Sequence, residues 1–227
     1  MLRPDDRTAG RLARFTGRER AVHHATALLM IICLGTAACL YVPAIATYVG
    51  RRDLIKPIHI VAGFALPVPM VLGWMTRAFR ADLRALNRFG PQDWQWLRSQ
   101  DRRAVRNGRG VVPVGKFNAG QKLNAAFVAG AILVMLGTGA MLTFPNPWPG
   151  AWRTGATFVH DWLTLAIFVM FLGHLWYALR DRGALTGMWT GRVPREWAAR
   201  NHPAWLDDQE RLAPVEPDVA EPVKDGS

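Results

Sequence analysis

Four long apolar runs, almost free of charged residues, constrain this chain more than any other feature of its sequence. They lie at 25–49, 57–76, 123–144 and 154–179. Each has roughly the 20 residues that a helix needs to cross about 30 Å of hydrocarbon. Helices are expected because hydrocarbon offers no hydrogen-bond partner to backbone amides. The sequence therefore predicts an all-α fold, a four-transmembrane-helix bundle, with kinks at Pro43, Pro67 and Pro69.

Basic residues crowd between the apolar runs and set the predicted orientation. The 227 residues include 28 Lys and Arg against 17 Asp and Glu, a formal net charge of +11. Arg and Lys are dense in the N-terminus, the loop 77–116 and the segment after the last run, and sparse in the other two connections. By the positive-inside rule, both termini and the long loop are cytoplasmic. Because the cations flank apolar runs and do not cover a polar module, nucleic-acid binding is disfavoured.

The same pattern divides the chain into three parts. Residues 1–20 form a basic cytoplasmic N-terminus without the apolar core of a cleavable signal peptide. Residues 21–206 form the membrane domain, in which the Arg-rich stretch 77–89 is predicted to be an interfacial or cytoplasmic helix continuing the second span. Residues 207–227 are acidic and rich in Pro, and this composition predicts disorder.

Five of the six histidines lie in or at the spans, where ionisable side chains are costly and face the bundle interior. These are His23, His24, His59, His160 and His174. His160 and His174 are 14 residues apart, so on a helix they face nearly the same way, about 21 Å apart. His59 lies at the right depth to meet His160, and His23 or His24 at the right depth to meet His174.

Two stacked sites, each with two imidazoles from different helices, suit two bis-histidine b haems. Small residues that could give a flat macrocycle room are Gly63, Gly130, Gly137, Gly139 and Gly173. A zinc site would need three or four clustered ligands, whereas these histidines divide into two distant pairs, so zinc is disfavoured. The remaining alternative is histidines satisfied by hydrogen bonds between helices. His202, in the tail, is expected at the surface or in a partner contact.

The motif KFNAGQK at 116–122 opens the third span at the level of the inner histidines. Asn118 and Gln121 could donate hydrogen bonds to the carbonyl oxygens of a quinone. Asn118 could equally cap the helix. Spacing alone leaves the two interpretations open.

Taken together, these motifs resemble the gamma subunit, a di-haem cytochrome b, of membrane-bound formate dehydrogenase, in a family that includes hydrogenase cytochrome b subunits. The matching segments are RERAVHH, KPIHIVAGF, KFNAGQK, FVHDWLTLAIFVMFLGHLWYAL and GALTGMWTGRVPREWAARNHPAWL. The resemblance covers about 14–206. It departs from the family pattern at His24, where Trp is common, at Asp161, where a small residue is usual, and at Asn201, where His is common.

The resemblance implies that His59 and His160 are axial ligands of the iron of an outer haem, and that His23 and His174 hold an inner one. Either His23 or His24 could be the first-helix ligand. It also implies a menaquinone site by His174, with Asn118 and Gln121 near it.

The function expected from this resemblance is a multi-pass electron conduit in the cell inner (cytoplasmic) membrane. An iron–sulfur subunit would deliver electrons at the outer face, and menaquinone would accept them near the cytoplasm. Formate chemistry would belong to a separate molybdenum or tungsten catalytic subunit. Alternatives are the cytochrome b subunit of a nickel–iron hydrogenase or other molybdopterin oxidoreductase, a haem-free membrane anchor or transporter, and a self-contained quinone-oxidising or metal-reducing cytochrome.

Overall fold

The computed structural model describes residues 10–99 and 112–212, and this part of the chain is mostly helical. Its elements, in chain order, are β1 (Arg11–Ala13), α1 (Gly17–Tyr41), α2 (Pro43–Val49), α3 (Arg52–Ala65), α4 (Val68–Trp74), α5 (Arg77–Leu86), α6 (Pro91–Arg98), α7 (Ala119–Thr143), α8 (Gly150–Arg180), α9 (Arg182–Thr190), β2 (Arg192–Pro194), α10 (Arg195–Asn201) and α11 (Pro203–Leu212). Four helical stretches are long and apolar enough to cross a membrane: α1, α3 with α4, α7 and α8. The described residues are thus mostly helical and include the four predicted spans, and they add a two-stranded sheet that the all-α prediction did not include. The orientation of the termini stays a prediction.

The first span begins earlier and ends sooner than the apolar run suggests. The Thr16 side chain accepts a hydrogen bond from the Glu19 amide, and the Thr16 amide donates to the Glu19 carboxylate at 2.6 Å. This capping box starts α1 at Gly17, within the charged segment. Pro43 then opens a separate short helix, α2, because proline lacks the amide proton that an uninterrupted helix needs. The predicted kink at Pro43 is therefore a complete break, and α1 does not continue to Val49.

The second span is built from two helices. It begins at Arg52, ahead of the predicted start at residue 57, and α3 runs to Ala65. Pro67 caps α4, and a second proline, Pro69, lies in its first turn. Prolines are tolerated there because the first amides of a helix have no intrahelical acceptor. The kink predicted at these two prolines corresponds to the break between α3 and α4.

The long loop after the second span starts a new helix and does not continue α4. The Thr76 side chain accepts a hydrogen bond from the Phe79 amide and caps α5. Lys122, at the start of α7, bonds the Asp93 carboxylate at 2.7 Å and so fastens α6 to the third span. Residues 100–111, also part of this loop, lie outside the described residues.

The segment before α1 and the segment after α8 come together in a small cap. Strand β1 pairs antiparallel with β2, with Leu12 opposite Val193. Val193, Ala198, Trp205 and Leu206 form a buried cluster beside this pair. The segment before α1 and the segment after α8 therefore lie at the same end of the bundle, as an even number of spans requires.

His202 lies inside this cap, which contradicts the expectation of a surface or partner-facing residue. It is 2% exposed, and its Nδ1 lies 2.7 Å from the Gly115 carbonyl. Because that carbonyl can only accept, Nδ1 carries the proton and Nε2 accepts a hydrogen bond from Arg14, 3.1 Å away. Arg14 also donates to the Lys116 carbonyl at 2.7 Å. Burial lowers the pKa of Arg14 to about 10, which leaves the guanidinium charged at neutral pH.

The predicted disorder from residue 207 is wrong for the first six residues of that stretch. Helix α11 continues through them to Leu212. Two physical reasons are visible: Trp205 and Leu206 anchor the helix in the buried cluster, and Arg195 forms an ion pair with Glu210. Residues 213–227, like 1–9, lie outside the described residues.

Acid should weaken the cap through His202. Burial, with a smaller contribution from Arg14, lowers the pKa of His202 to about 3, whereas an unfolded histidine titrates near 6.5. As pH falls below about 6.5, only the unfolded state gains a proton, so stability falls by about 2 kcal/mol between pH 7 and pH 5. We expect the thermal unfolding midpoint in detergent to drop less between these pH values for His202→Gln than for the wild type. Equal drops would contradict the assignment.

Candidate functional site

The first pair of histidines lies at the end of the bundle away from the cap. His59 is on α3 and His160 is on α8, and their ring centroids are 6.3 Å apart with an angle of 68° between the rings. The structure therefore brings together the two residues that the sequence placed at one depth. Each ring comes from a different helical hairpin, α1–α3 and α7–α8.

His59 and His160 are called the outer pair below, because they lie at the end of the bundle away from the cap. Two threonine hydroxyls contact this outer pair. Thr36 Oγ1, on α1, lies 2.8 Å from His59 Nδ1. Thr138 Oγ1, on α7, lies 2.9 Å from His160 Nδ1. The two contacts are equivalent: in each hairpin, the first helix supplies the hydroxyl and the second supplies the imidazole.

The direction of these hydrogen bonds follows from the backbone around the threonines. Thr36 Oγ1 lies 2.6 Å from the Ile32 carbonyl, and Thr138 Oγ1 lies 2.8 Å from the Val134 carbonyl. A hydroxyl has one proton, and a carbonyl oxygen can only accept it. Each threonine thus donates to its own helix and accepts from Nδ1–H of the histidine. The Nε2 lone pair of each ring remains available for a ligand.

The second pair lies at the cap end of the bundle. His23, one turn after Glu19 on α1, and His174 on α8 have ring centroids 6.3 Å apart at an angle of 48°. His23 Nδ1 is buried and has no hydrogen-bond partner among the described residues. No described residue bonds a ring nitrogen of His174 either. The inner pair therefore lacks the hydroxyl acceptors of the outer pair.

The adjacent histidine, His24, points to different neighbours. Its ring stacks on Trp189 at a centroid distance of 4.9 Å and an angle of 27°. Its Nε2 lies 3.3 Å from the Met188 carbonyl. Of the two first-helix candidates, the geometry favours His23 as the partner of His174.

Both pairs have the spacing that one metal ion between two imidazoles requires. With metal–nitrogen bonds of about 2 Å, the ring centres lie about 6 Å apart. The distance is 6.3 Å in both pairs. Gly139 lies next to the outer pair, and a Cβ there would be in ordinary van der Waals contact with His160, 3.6 Å from its Cε1. Residues 10–99 and 112–212 contain no group of three His, Cys, Asp or Glu that could hold a metal ion. Two imidazoles on opposite sides of one iron are the protein ligands of a bis-histidine haem, and the 6.3 Å spacing of each pair is compatible with that arrangement.

A buried group of charges lies beside the inner pair. Lys116 bonds Asp82 at 2.5 Å and lies 3.6 Å from a carboxylate oxygen of Glu19. Burial, followed by the neighbouring Glu19, raises the pKa of Asp82 to about 7, although Lys116 opposes this shift. Asp82 can therefore hold or release a proton near neutral pH.

Asn118 and Gln121 form the capping box of α7. The Asn118 side-chain oxygen accepts from the Gln121 amide at 2.9 Å, and the Gln121 side-chain oxygen accepts from the Asn118 amide at 3.0 Å. The capping interpretation of Asn118 is thus realised. Both side-chain NH₂ groups remain as donors.

A cavity of about 200 Å³ lies between α5, α6 and the start of α7. Its lining includes Asn118, Trp96, Phe117 and Lys116, and it does not include Gln121 or His174. Its volume is below the roughly 300 Å³ at which pockets for drug-sized ligands begin. The cavity therefore brings Asn118 to a small recess but does not connect it to the inner histidines.

A membrane bundle with one histidine pair near each end is typical of b-type cytochromes. The comparison with known proteins agrees: the chain belongs to the prokaryotic cytochrome b561 family, whose model matches residues 14–191. Membership of this family implies haem b and a role in electron transport. The family, together with the four apolar helices, indicates a multi-pass membrane protein.

Similar curated proteins are formate dehydrogenase subunits. The chain is 29% identical over 123 residues to the cytochrome b556(Fdn) subunit of the nitrate-inducible enzyme from Escherichia coli strain K12 and to that from Shigella flexneri. That alignment covers 53% of this chain and 57% of the relative. The cytochrome b556(fdo) subunit of Escherichia coli strain K12 is 26% identical over 202 residues, covering 86% of this chain and 91% of the relative.

The threonines are the residues that the sequence analysis missed. A signal was present: the tripeptide Leu-Gly-Thr occurs at 34–36 and again at 136–138. The two threonines precede their histidine partners by 23 and 22 residues. A separation of this length joins residues on the two helices of a hairpin. It points to a contact only when each threonine is known to face the neighbouring helix.

Substitution of the two adjacent histidines should separate them. His23→Ala removes the ring that faces His174, so we expect a lower haem content per polypeptide. His24→Ala removes the stacking contact with Trp189 and the hydrogen bond to the Met188 carbonyl, neither of which involves His174, and should leave haem content unchanged. A pyridine haemochrome assay on both purified proteins measures this. If His24→Ala caused the larger loss, the pairing would be wrong.

Proposed function

We propose that this chain is the cytochrome b subunit of a formate dehydrogenase complex and passes electrons from an iron–sulfur subunit through two b haems to menaquinone. The observation that carries this proposal is the presence of two histidine pairs, both with 6.3 Å between ring centroids, at opposite ends of one bundle. In support, the similar proteins are formate dehydrogenase cytochrome subunits.

The orientation follows from charge. The cap end of the bundle collects the Arg-rich segment before α1, helix α5 and the segment after α8, so the positive-inside rule assigns this end to the cytoplasm. Both termini are then cytoplasmic, and the membrane is the inner (cytoplasmic) membrane. On this assignment residues 21–206 form the membrane domain between the N-terminal segment 1–20 and the tail 207–227. His59 and His160 lie at the outer side.

The four paired histidines would each contribute one nitrogen to haem iron, His59 with His160 and His23 with His174. Bound haem would supply the one-electron carrier that no side chain of this chain provides. The protein holds the two sites about 21 Å apart along α8.

The cytoplasmic end is suited to quinone reduction, which consumes protons. The free NH₂ groups of Asn118 and Gln121 are donors for quinone carbonyl oxygens, although only Asn118 lines the nearby cavity. Asp82 and Lys116 provide a buried proton-holding pair at the same end. Uptake of protons from the cytoplasm would follow from this placement.

The partners are an iron–sulfur subunit and a molybdenum or tungsten catalytic subunit that oxidises formate. We infer them because the similar proteins are subunits of formate dehydrogenases, and the oxidation of formate would take place on another subunit. The cytochrome b subunit of a nickel–iron hydrogenase shares the expected bundle, and the catalytic subunit that co-purifies with this chain distinguishes the two.

Haem stoichiometry tests the core of the proposal. We expect about two haems per polypeptide in the wild type, since each histidine pair fits one iron. His59→Ala and His174→Ala should each lose one. The measurements are haem per protein and a reduced-minus-oxidised spectrum with the alpha band of a low-spin b haem. A colourless wild-type protein, expressed with ample haem supply, would support a haem-free anchor or transporter.

Asp82 should matter for the proton step and not for haem binding. Asp82→Asn removes the carboxyl whose pKa is about 7, so we expect menaquinone reduction by the intact complex to slow by roughly tenfold or more. Asp208→Asn breaks a 2.6 Å ion pair with Arg211 in the tail helix, away from the cavity, and is the control, with little expected effect on this rate. Equal slowing in both variants, with haem content intact, would show that only packing at this end is being measured.

A further inference from the structure

The two histidine pairs share a centroid distance but differ in what holds the rings. Each outer histidine donates its Nδ1–H to a threonine hydroxyl, at 2.8 Å for Thr36 and 2.9 Å for Thr138. In the described part of the chain, no residue accepts a hydrogen bond from His23 or His174 in this way, and His23 Nδ1 is buried without a partner. The position of each threonine hydroxyl is set by its own helix, because the hydroxyl donates to a backbone carbonyl one turn earlier.

We propose that Thr36 and Thr138 are positioning residues for the outer haem, whose hydroxyls hold the Nε2 atoms of His59 and His160 toward one iron and lower that haem's reduction potential. This inference rests on the proposed function, because it assumes haem between the outer rings. It adds a distinction between the two sites that the histidine spacing does not contain.

The orienting part follows from the geometry of the hydroxyls. Each threonine hydroxyl donates its single proton to a carbonyl one turn earlier in its own helix, so its lone pairs are directed across the hairpin. A ring that donates Nδ1–H to a fixed oxygen has one tautomer and one restricted orientation. Because Nδ1 is held by the threonine, Nε2 lies on the side of the ring away from that contact and stays free for an iron.

The effect on potential follows from charge. A hydrogen bond accepted from Nδ1–H makes the imidazole more basic and gives it partial anionic character. A more electron-rich ligand stabilises ferric over ferrous iron, and second-shell hydrogen bonding is one of the levers on haem potential. With such a bond on both axial ligands, the outer site is held lower than it would be without them. A lower outer potential favours electron movement toward the inner pair.

A redox titration of full-length protein in detergent, followed at the alpha band, tests the inference. The variants are Thr36→Val and Thr138→Val, which replace the hydroxyl by a methyl group of similar volume. Thr143→Val is the matched control, because Thr143 also donates to its own helix, at 2.7 Å from the Gly139 carbonyl, without contacting a histidine. His59→Ala identifies which titration component belongs to the outer haem.

We expect an upward shift of the outer component in each Val variant, no shift of the inner component, and a larger shift in the double variant. Thr36→Ser and Thr138→Ser keep the hydroxyl and should titrate like the wild type. Thr36 and Thr138 lie on different helices and contact different histidines, so a result from either Val variant suffices if the other variant does not fold.

Outer components that do not move in folded, haem-loaded Val variants would overturn the inference and leave the proposed function intact. An equal shift in Thr143→Val, or an equal shift of both haems, would also overturn it. Absence of haem from the wild type would overturn the proposed function and this inference together.

Discussion

The cost of placing imidazoles inside an apolar bundle governs this structure. A polar ring at membrane depth must be partnered, by hydrogen bonds or by a metal. At the outer end His59 and His160 are partnered at Nδ1 by threonine hydroxyls and keep Nε2 free. Thus two interpretations of these histidines, interhelical hydrogen bonding and haem ligation, are compatible, because they use different nitrogens of the same ring. At the inner end, His23 retains a buried nitrogen without a partner among the described residues.

The cap stabilises the other polar end of the molecule. Arg14 and His202 are 188 positions apart in the sequence, yet their side chains meet and together hold the carbonyls of Gly115 and Lys116. Those carbonyls belong to the segment that leads into α7 and its capping box. The strand pair, the tail helices and the start of the third span are therefore coupled, so the residues proposed to meet quinone depend on contacts made by both ends of the described chain.

The proposed electron path depends on the difference between the two ends of the bundle. The outer histidines are fixed within two hairpins by short, local contacts, whereas the inner pair joins α1 to α8 beside a buried group of charges. An outer site made electron-rich by its threonines and an inner site next to a carboxyl of near-neutral pKa would favour electrons moving inward and protons being taken up there.

The sequence by itself determined the four spans, the depth of each histidine and the family, because apolar length and motif identity are local properties. It also indicated the pairing of His59 with His160, since depth and helical phase leave few choices. Only the tertiary structure distinguished the adjacent residues His23 and His24, because it is the His23 ring that lies against His174 while the His24 ring stacks on Trp189. The burial of His202, the helix α11 and the contacts of Thr36 and Thr138 with the histidines were likewise decided there. Each depends on contacts between segments far apart in the chain, and no local pattern encodes which side chains those contacts bring together.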